Sequence, residues 1–311
     1  MFKNTLDNKR YYTLNYYYKK KYHCKVCKIS LNAGFSCPNK DGKVSYGGCI
    51  FCSKLGSGDF AGDKTHDLIT QFNEIKDQML KKWPESKFIG YFQANTNTYA
   101  KVETLKKYYE SILSLDNVVG LNIATRSDAI DDDVLNYLDI LNKKCDLTIE
   151  LGLQSMHDET LKYINRGHDL NNFIECFNKL KQRNIKVVVH IINGLPGETK
   201  EMMIKTAKFL NELNIDGIKI HMLHIVKDTK LAEIYEKEHF PILSKEEYID
   251  IIINQLEFLN ENIVIHRITG DPKKEDLIEP SWLLKKFCVL NDIDKEMKKR
   301  NTYQGRLVQN S

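Results

Sequence analysis

From residue 25 onward, six short apolar runs rich in β-branched residues alternate with amphipathic stretches. The runs are 25–31, 87–93, 118–125, 146–154, 186–195 and 217–226, and the amphipathic stretches lie near 67–82, 101–115, 131–143, 157–183 and 199–213. Nearly continuous apolar strands between helices imply a parallel sheet buried on both faces. Six such units predict an α/β fold, a partial (β/α)6 barrel. A helix at about 245–260, a strand at about 262–268 and a Lys/Glu-rich helix from about 281 follow. The expected organisation is a basic, tyrosine-rich arm at 1–24, the barrel at 25–270 and a helical extension at 271–311.

Chemistry in βα barrels collects at the carboxyl ends of the strands. The first run leads into a loop carrying Cys37, Cys49 and Cys52. Three thiolates suit a four-iron cluster in which one iron keeps no protein ligand and can hold another group. The second run ends in Gln93-Ala94-Asn95-Thr96, and the third in Thr125-Arg126-Ser127-Asp128. Alternation in the fourth puts Glu150, Gly152 and Gln154 on one face. The fifth carries His190 and ends in Asn193-Gly194-Leu195-Pro196, and the sixth carries His221 and His224.

Eight cysteines without a secretory signal point to a reducing cytoplasm, where clustered cysteines bind metal more often than they pair. Cys145, Cys176 and Cys288 stand in helix-like or apolar contexts and read as buried small hydrophobes. No apolar run is long enough to span a membrane. A net charge of +4 is mild and suits an anionic partner without demanding one. A second metal reading exists: Cys24 and Cys27 form, with Cys49 and Cys52, two CxxC pairs separated by 21 residues, the pattern of a zinc-ribbon RNA-binding module. It would leave Cys37 idle and the barrel motifs unexplained.

The cysteine loop, residues 150–155, Asn165-Arg166-Gly167-His168 and Gly194-Leu195-Pro196 together resemble radical S-adenosylmethionine (SAM) enzymes. Within that superfamily the chain is most similar to the YhcC/YtqA-type family, in 32–41, 93–100, 165–168, 219–224 and 267–271. That family is related to the catalytic subunit of Elongator and to the oxygen-independent coproporphyrinogen oxidase branch. The resemblance covers nearly the whole chain. Eleven residues separate Cys37 from Cys49, longer than the commonest loop of the superfamily but suited to this type. The Gly-Gly-Glu that usually follows the second strand is absent, and Ser127 stands where the family tends to have proline.

The resemblance implies that Cys37, Cys49 and Cys52 hold a [4Fe–4S] cluster whose open iron is chelated by SAM. Phe51 would lie against the adenine, Gln154 would bond the ribose, and Arg166, twelve positions later, would pair with the SAM carboxylate. Gln93, Asn95 and Thr96 would replace the missing acceptors for the amino group, with Glu150 counted among the SAM residues. His190 would contact the nucleoside and Gly194 would let backbone approach the base. Reductive cleavage would yield a 5′-deoxyadenosyl radical that takes hydrogen from substrate. The likeness to Elongator implies modification of the C5 substituent of a tRNA wobble uridine; a small molecule or peptide is the alternative substrate. With no room for an acetyltransferase domain, no use of acetyl-coenzyme A is expected. Substrate contacts are assigned to Lys219, His221 and His224, and to Lys19, Lys20 and Lys21. Those three lysines lie in an arm that interleaves cations with tyrosines, a composition that can meet phosphates and unpaired bases, or can pack its rings and expose its lysines. The implied partners are tRNA, a reductant such as flavodoxin or ferredoxin, and a methyltransferase, with no membrane and a cytoplasmic location.

Overall fold

A computed structural model describes residues 2–5, 8–56, 58 and 60–308; the outermost residues of the expected arm and extension lie outside them. The strands are β1 (Val26–Leu31), β2 (Lys87–Phe92), β3 (Val118–Thr125), β4 (Asp146–Gln154), β5 (Lys186–Asn193), β6 (Gly217–Met222), β7 (Ile225–Val226), β8 (Val264–Arg267) and β9 (Leu277–Glu279). The helices are α1 (Leu14–Tyr22), α2 (Leu68–Lys82), α3 (Val102–Leu113), α4 (Asp132–Asn142), α5 (Asp158–Tyr163), α6 (Leu170–Gln182), α7 (Lys200–Glu212), α8 (Lys230–Glu238), α9 (Lys245–Phe258) and α10 (Lys286–Lys299). The sheet order is β1-β2-β3-β4-β5-β6-β8, an α/β partial barrel as expected. It has seven strands rather than six: the run expected at 262–268 is β8, which pairs parallel with β6.

The chain divides into two compact units. The first comprises Tyr18–Leu153 and Arg166–Val188. Its strands pair parallel, with Val26 opposite Lys87 and Gly120 opposite Asp146. β3 and β4 are buried almost throughout, which explains their unbroken apolar sequences. Ile29, Leu31, Phe88, Phe92 and Leu121 are fully buried, each large side chain contributing about 1.5–3 kcal/mol. Gly120 permits close approach of β4, since a Cβ there would fall 2.2 Å from the Asp146 carbonyl oxygen. Asp67 caps α2 by accepting from the amides of Ile69 and Thr70.

The second unit comprises Met1–Tyr17, Gln154–Asn165 and Val189–Ser311. Helix α9 opens with a capping box, Ser244 and Glu247, and buries Tyr248, Ile249, Ile251, Ile252, Ile253 and Leu256. Gln304 fastens the N-terminal strand of chain in this unit: its Oε1 accepts from Tyr12 N at 2.8 Å, and its amide nitrogen donates to Asn260 O and Ile263 O. Thr13 then bridges in parallel to Ile265.

Three expectations need correction. The helix expected over 157–183 is two helices, because Asn165 (φ 51°) and Gly167 (φ 80°) turn the chain in the left-handed region. The run 217–226 breaks after Met222, and β7 leaves to pair antiparallel with β9. Cys176 is buried as expected, but Cys145 is half-buried and Cys288 is exposed on α10.

Candidate active site

In the first unit, β1 releases the chain into the cysteine loop. Cys49 is buried and Cys37 and Cys52 half-buried. A tight turn carries Cys52 N to Cys49 O at 2.9 Å and leaves Phe51 half-buried between the two thiols. Burial pushes the Cys52 thiol up to about 11; Lys40 opposes that, and Cys49 and Cys37 add to it. Two N–H donors converge on Cys49 Sγ: Asn39 Nδ2 at 3.6 Å and Arg166 Nη1 at 3.7 Å.

Arg166 is buried on the turn before α6, and its Nη2 donates to the Gly152 carbonyl oxygen at 2.5 Å. Its Nε has no partner among the described residues. A second buried guanidinium, Arg126, grips Asp128 in a fork, at 2.8 and 2.6 Å, and donates to Arg166 O at 2.8 Å. Burial alone would raise the Asp128 carboxyl, but Arg126 holds it below the ordinary range. Arg126 Nη1 is likewise a buried donor without a partner among the described residues. Gly167 is required here, because a Cβ would fall 2.3 Å from Asn39 Oδ1.

Asn95 (φ 60°) sits against Gly56, where a Cβ would fall 1.8 Å from its Oδ1. That same Oδ1 accepts from Lys40 Nζ at 3.3 Å. Gln93 is half-buried, and its backbone N–H donates to Leu31 O at 3.2 Å. Glu150 is fully buried and accepts from Lys28 Nζ and Asn122 Nδ2, both at 2.7 Å. His168 is pushed down to about 3 by burial and then by Arg166, and its Nε2 has no partner among the described residues.

The donor set fits the group the sequence suggests. Three thiols near two guanidinium side chains suit thiolates on an iron–sulfur cluster, and two unpartnered guanidinium N–H groups suit an anion. Among the described residues no group of three or more His, Cys, Asp or Glu side chains closes on a single metal-ion position. Cys24, Cys27, Cys49 and Cys52 therefore do not gather as a zinc-ribbon site. Thiolates on separate irons of a cluster stand farther apart than the ligands of one ion.

The second unit holds the other expected residues. Gln154 has φ 78°, in the left-handed region, and is followed by the buried Ser155. Ser155 Oγ donates to Glu198 Oε1 and accepts from His157 N at 3.1 Å. Gly194 also has a left-handed φ, 87°. The rings of His190 and His221 are 5.7 Å apart. Lys219 is buried on β6 in register with Arg267 on β8. Burial, then Arg267, His190 and Lys219, holds His221 well below its ordinary value. His224 Nδ1 lies 3.2 Å from Met222 O. Lys19, Lys20 and Lys21 are exposed, and belong to the first unit, where Lys21 pairs with Asp146 at 2.6 Å.

Sequence reasoning passed over Asn39, Lys40, Arg126 and Lys28. Arg126 ends a strand next to Asp128, a visible signal. Lys28 had one too, since a cation inside a run buried on both faces needs a carboxylate.

Residues 42–210 match the Radical SAM superfamily and residues 215–299 the Radical_SAM C-terminal domain. The chain is 50% identical to YtqA of Bacillus subtilis, over 97% of this chain and 94% of that one. It is 33% identical to a tRNA uridine(34) acetyltransferase of Methanocaldococcus infernus, over 49% of this chain but only 29% of that one. The Elp3 structure from the same archaeon superposes with a TM-score of 0.67 at 20% identity, a likeness of fold covering 90% of this chain and 64% of the other. No helix among the described residues is long and apolar enough to cross a membrane.

Proposed function

Because the chain belongs to the radical SAM superfamily, we propose that it is an iron–sulfur enzyme that remodels the C5 substituent of a tRNA wobble uridine. The cofactors of the superfamily are a [4Fe–4S] cluster and S-adenosylmethionine. The observation that carries the assignment of their site is the convergence of Asn39 Nδ2 and Arg166 Nη1 on Cys49 Sγ, with Arg166 Nε left over. Held by Cys37, Cys49 and Cys52, the cluster would supply the electron for reductive cleavage of SAM and so the radical chemistry that removes hydrogen from substrate.

The chain's own residues bind, orient and neutralise. Cys37, Cys49 and Cys52 are the thiolate ligands, and the N–H donors at Cys49 spread its negative charge, which favours the reduced state. Arg166 pairs with the methionine carboxylate; a buried guanidinium keeps its charge and its direction. Phe51, Gln154, His190 and Gly194 keep the nucleoside roles that the resemblance gives them. Gln93, Asn95 and Thr96 are the proposed acceptors for the amino group, with Asn95 held in place by Lys40. Glu150 acts through its ion pair with Lys28, and Lys219, His221 and His224 face substrate.

The tRNA part rests on the name of a longer relative matched over 49% of this chain, a tRNA uridine(34) acetyltransferase, and on the lysine-tyrosine arm. A flavodoxin or ferredoxin supplies electrons, and a methyltransferase follows in the same modification. Eight free thiols suit a reducing cytoplasm. Nucleoside profiling of tRNA from a deletion strain tests the substrate: a missing C5-modified uridine is expected, and an unchanged profile rejects the tRNA reading. The cofactor reading is tested separately, by release of 5′-deoxyadenosine from SAM on reduction.

A further inference from the structure

The amino ends of the strands in the first unit carry a second chemistry. Lys87 stands in register with Val26, and its amide donates to Lys25 O at 2.9 Å. Two aromatic rings beside this edge each hold two ammonium groups. Lys25 and Lys82 lie 4.9 and 4.7 Å from the Trp83 ring centre, and Lys21 and Lys87 lie 5.3 and 5.9 Å from that of Tyr22. Each such contact is worth roughly 0.5–1 kcal/mol at an exposed site.

Two helices end here, and both end in lysines: Lys19, Lys20 and Lys21 close α1, and Lys81 and Lys82 close α2. Helix carbonyls tolerate these cations, but they do not neutralise them. Asp146 is occupied by Lys21 and Lys186. Lys19, Lys20, Lys81 and Lys82 are exposed and form no ion pair among the described residues. The result is a face of hydrated ammonium groups fixed on rings and helix ends.

The cysteine loop leaves β1 at the opposite end, after Leu31. A six-residue strand is about 20 Å long, so this face is remote from the thiols. Point charges without a fork or a pocket read charge density rather than shape, and a phosphate backbone supplies that density. A folded RNA is long enough to touch both ends of the strand at once.

We propose that this face, built on Lys19, Lys20, Lys82 and Lys87 around Tyr22 and Trp83, docks the phosphate backbone of a folded RNA away from the reaction. The inference rests on the tRNA reading above and adds a surface to it. Arm residues Lys19 and Lys20 thereby act together with α2 and β2.

The test is equilibrium binding of the full chain to a labelled, unmodified tRNA transcript, without SAM, between about 50 and 200 mM salt. The triple variant Lys19→Gln, Lys20→Gln, Lys82→Gln is compared with the parent, and thermal unfolding checks that both are folded. At low salt the variant is expected to lose at least about tenfold in affinity, with a log–log salt slope shallower by about two to three. Equal affinity and slope in the variant overturn the docking face while leaving the tRNA reading standing. A parent that binds no transcript overturns both. If poly-L-glutamate binds the parent as tightly as the transcript and loses binding in the variant, the face belongs to an acidic protein and the RNA assignment fails.

Discussion

The two ends of the strands in the first unit both gather cations, and they do so in opposite ways. At the carboxyl end, Arg126 and Arg166 are buried, and their N–H groups are fixed on carbonyls, a carboxylate and a thiol. At the amino end, lysines stay in water and lean on rings. A desolvated guanidinium selects a partner by direction and is hardly screened by salt. A hydrated ammonium selects by charge and is screened within about 8–10 Å. One sheet thus separates buried, directional guanidinium groups from hydrated, screened ammonium groups.

The largest expected effect lies at the carboxyl end. Cys49→Ala should abolish both the brown absorption of the anaerobically loaded protein and SAM cleavage; retention of either would remove Cys49 from the ligand set. Next is the ion pair below it. Lys28→Met should lower stability by about 3–5 kcal/mol, because it strands the carboxylate of Glu150 with one hydrogen bond fewer. The double variant Lys28→Met, Glu150→Leu should recover much of that loss in urea unfolding, and equal losses would mean that the pair is not coupled. Arg166→Met should weaken SAM binding to the loaded protein by about 2–5 kcal/mol, and Arg166→Lys should not restore it.

A pH effect follows from His168. Burial and then Arg166 hold its folded value at about 3, below that of the unfolded chain. The unfolded state therefore takes the proton first, and stability falls as pH drops from about 6.5 toward about 3, by up to about 1.4 kcal/mol per unit. His168→Phe should flatten that limb of the unfolding curve. The smallest effect belongs to the amino end: Lys19→Gln should change stability by no more than about 0.5 kcal/mol, whatever it does to a polyanion. A large loss there would mean that the lysines hold the fold together, and the contrast between the two ends would vanish.

The sheet was legible because strands buried on both faces leave unbroken apolar runs, and all six were visible. The seventh strand was seen as a strand, but its pairing depends on a partner 47 positions away, Gly217 with Val264, which no local pattern announces. The split between α5 and α6 lay in plain view as Asn165 and Gly167, yet the apolar period runs across it. Cys37, Cys49 and Cys52 stood out by type and spacing, and Arg166 only through the family resemblance. The engagement of Asn95 by Lys40 and of Glu150 by Lys28 could not, since each joins residues far apart in the chain. Cys288 misled because an amphipathic helix has two faces, and composition does not say which one meets solvent.

Gln154 occupies a backbone conformation that a side chain normally avoids, at a cost of about 1–2 kcal/mol. Glycine would relieve that cost, so Gln154→Gly should melt at a higher temperature than the parent while lacking a carboxamide. The proposed bond to the ribose needs that carboxamide, so the same substitution that steadies the fold should weaken binding of the nucleoside.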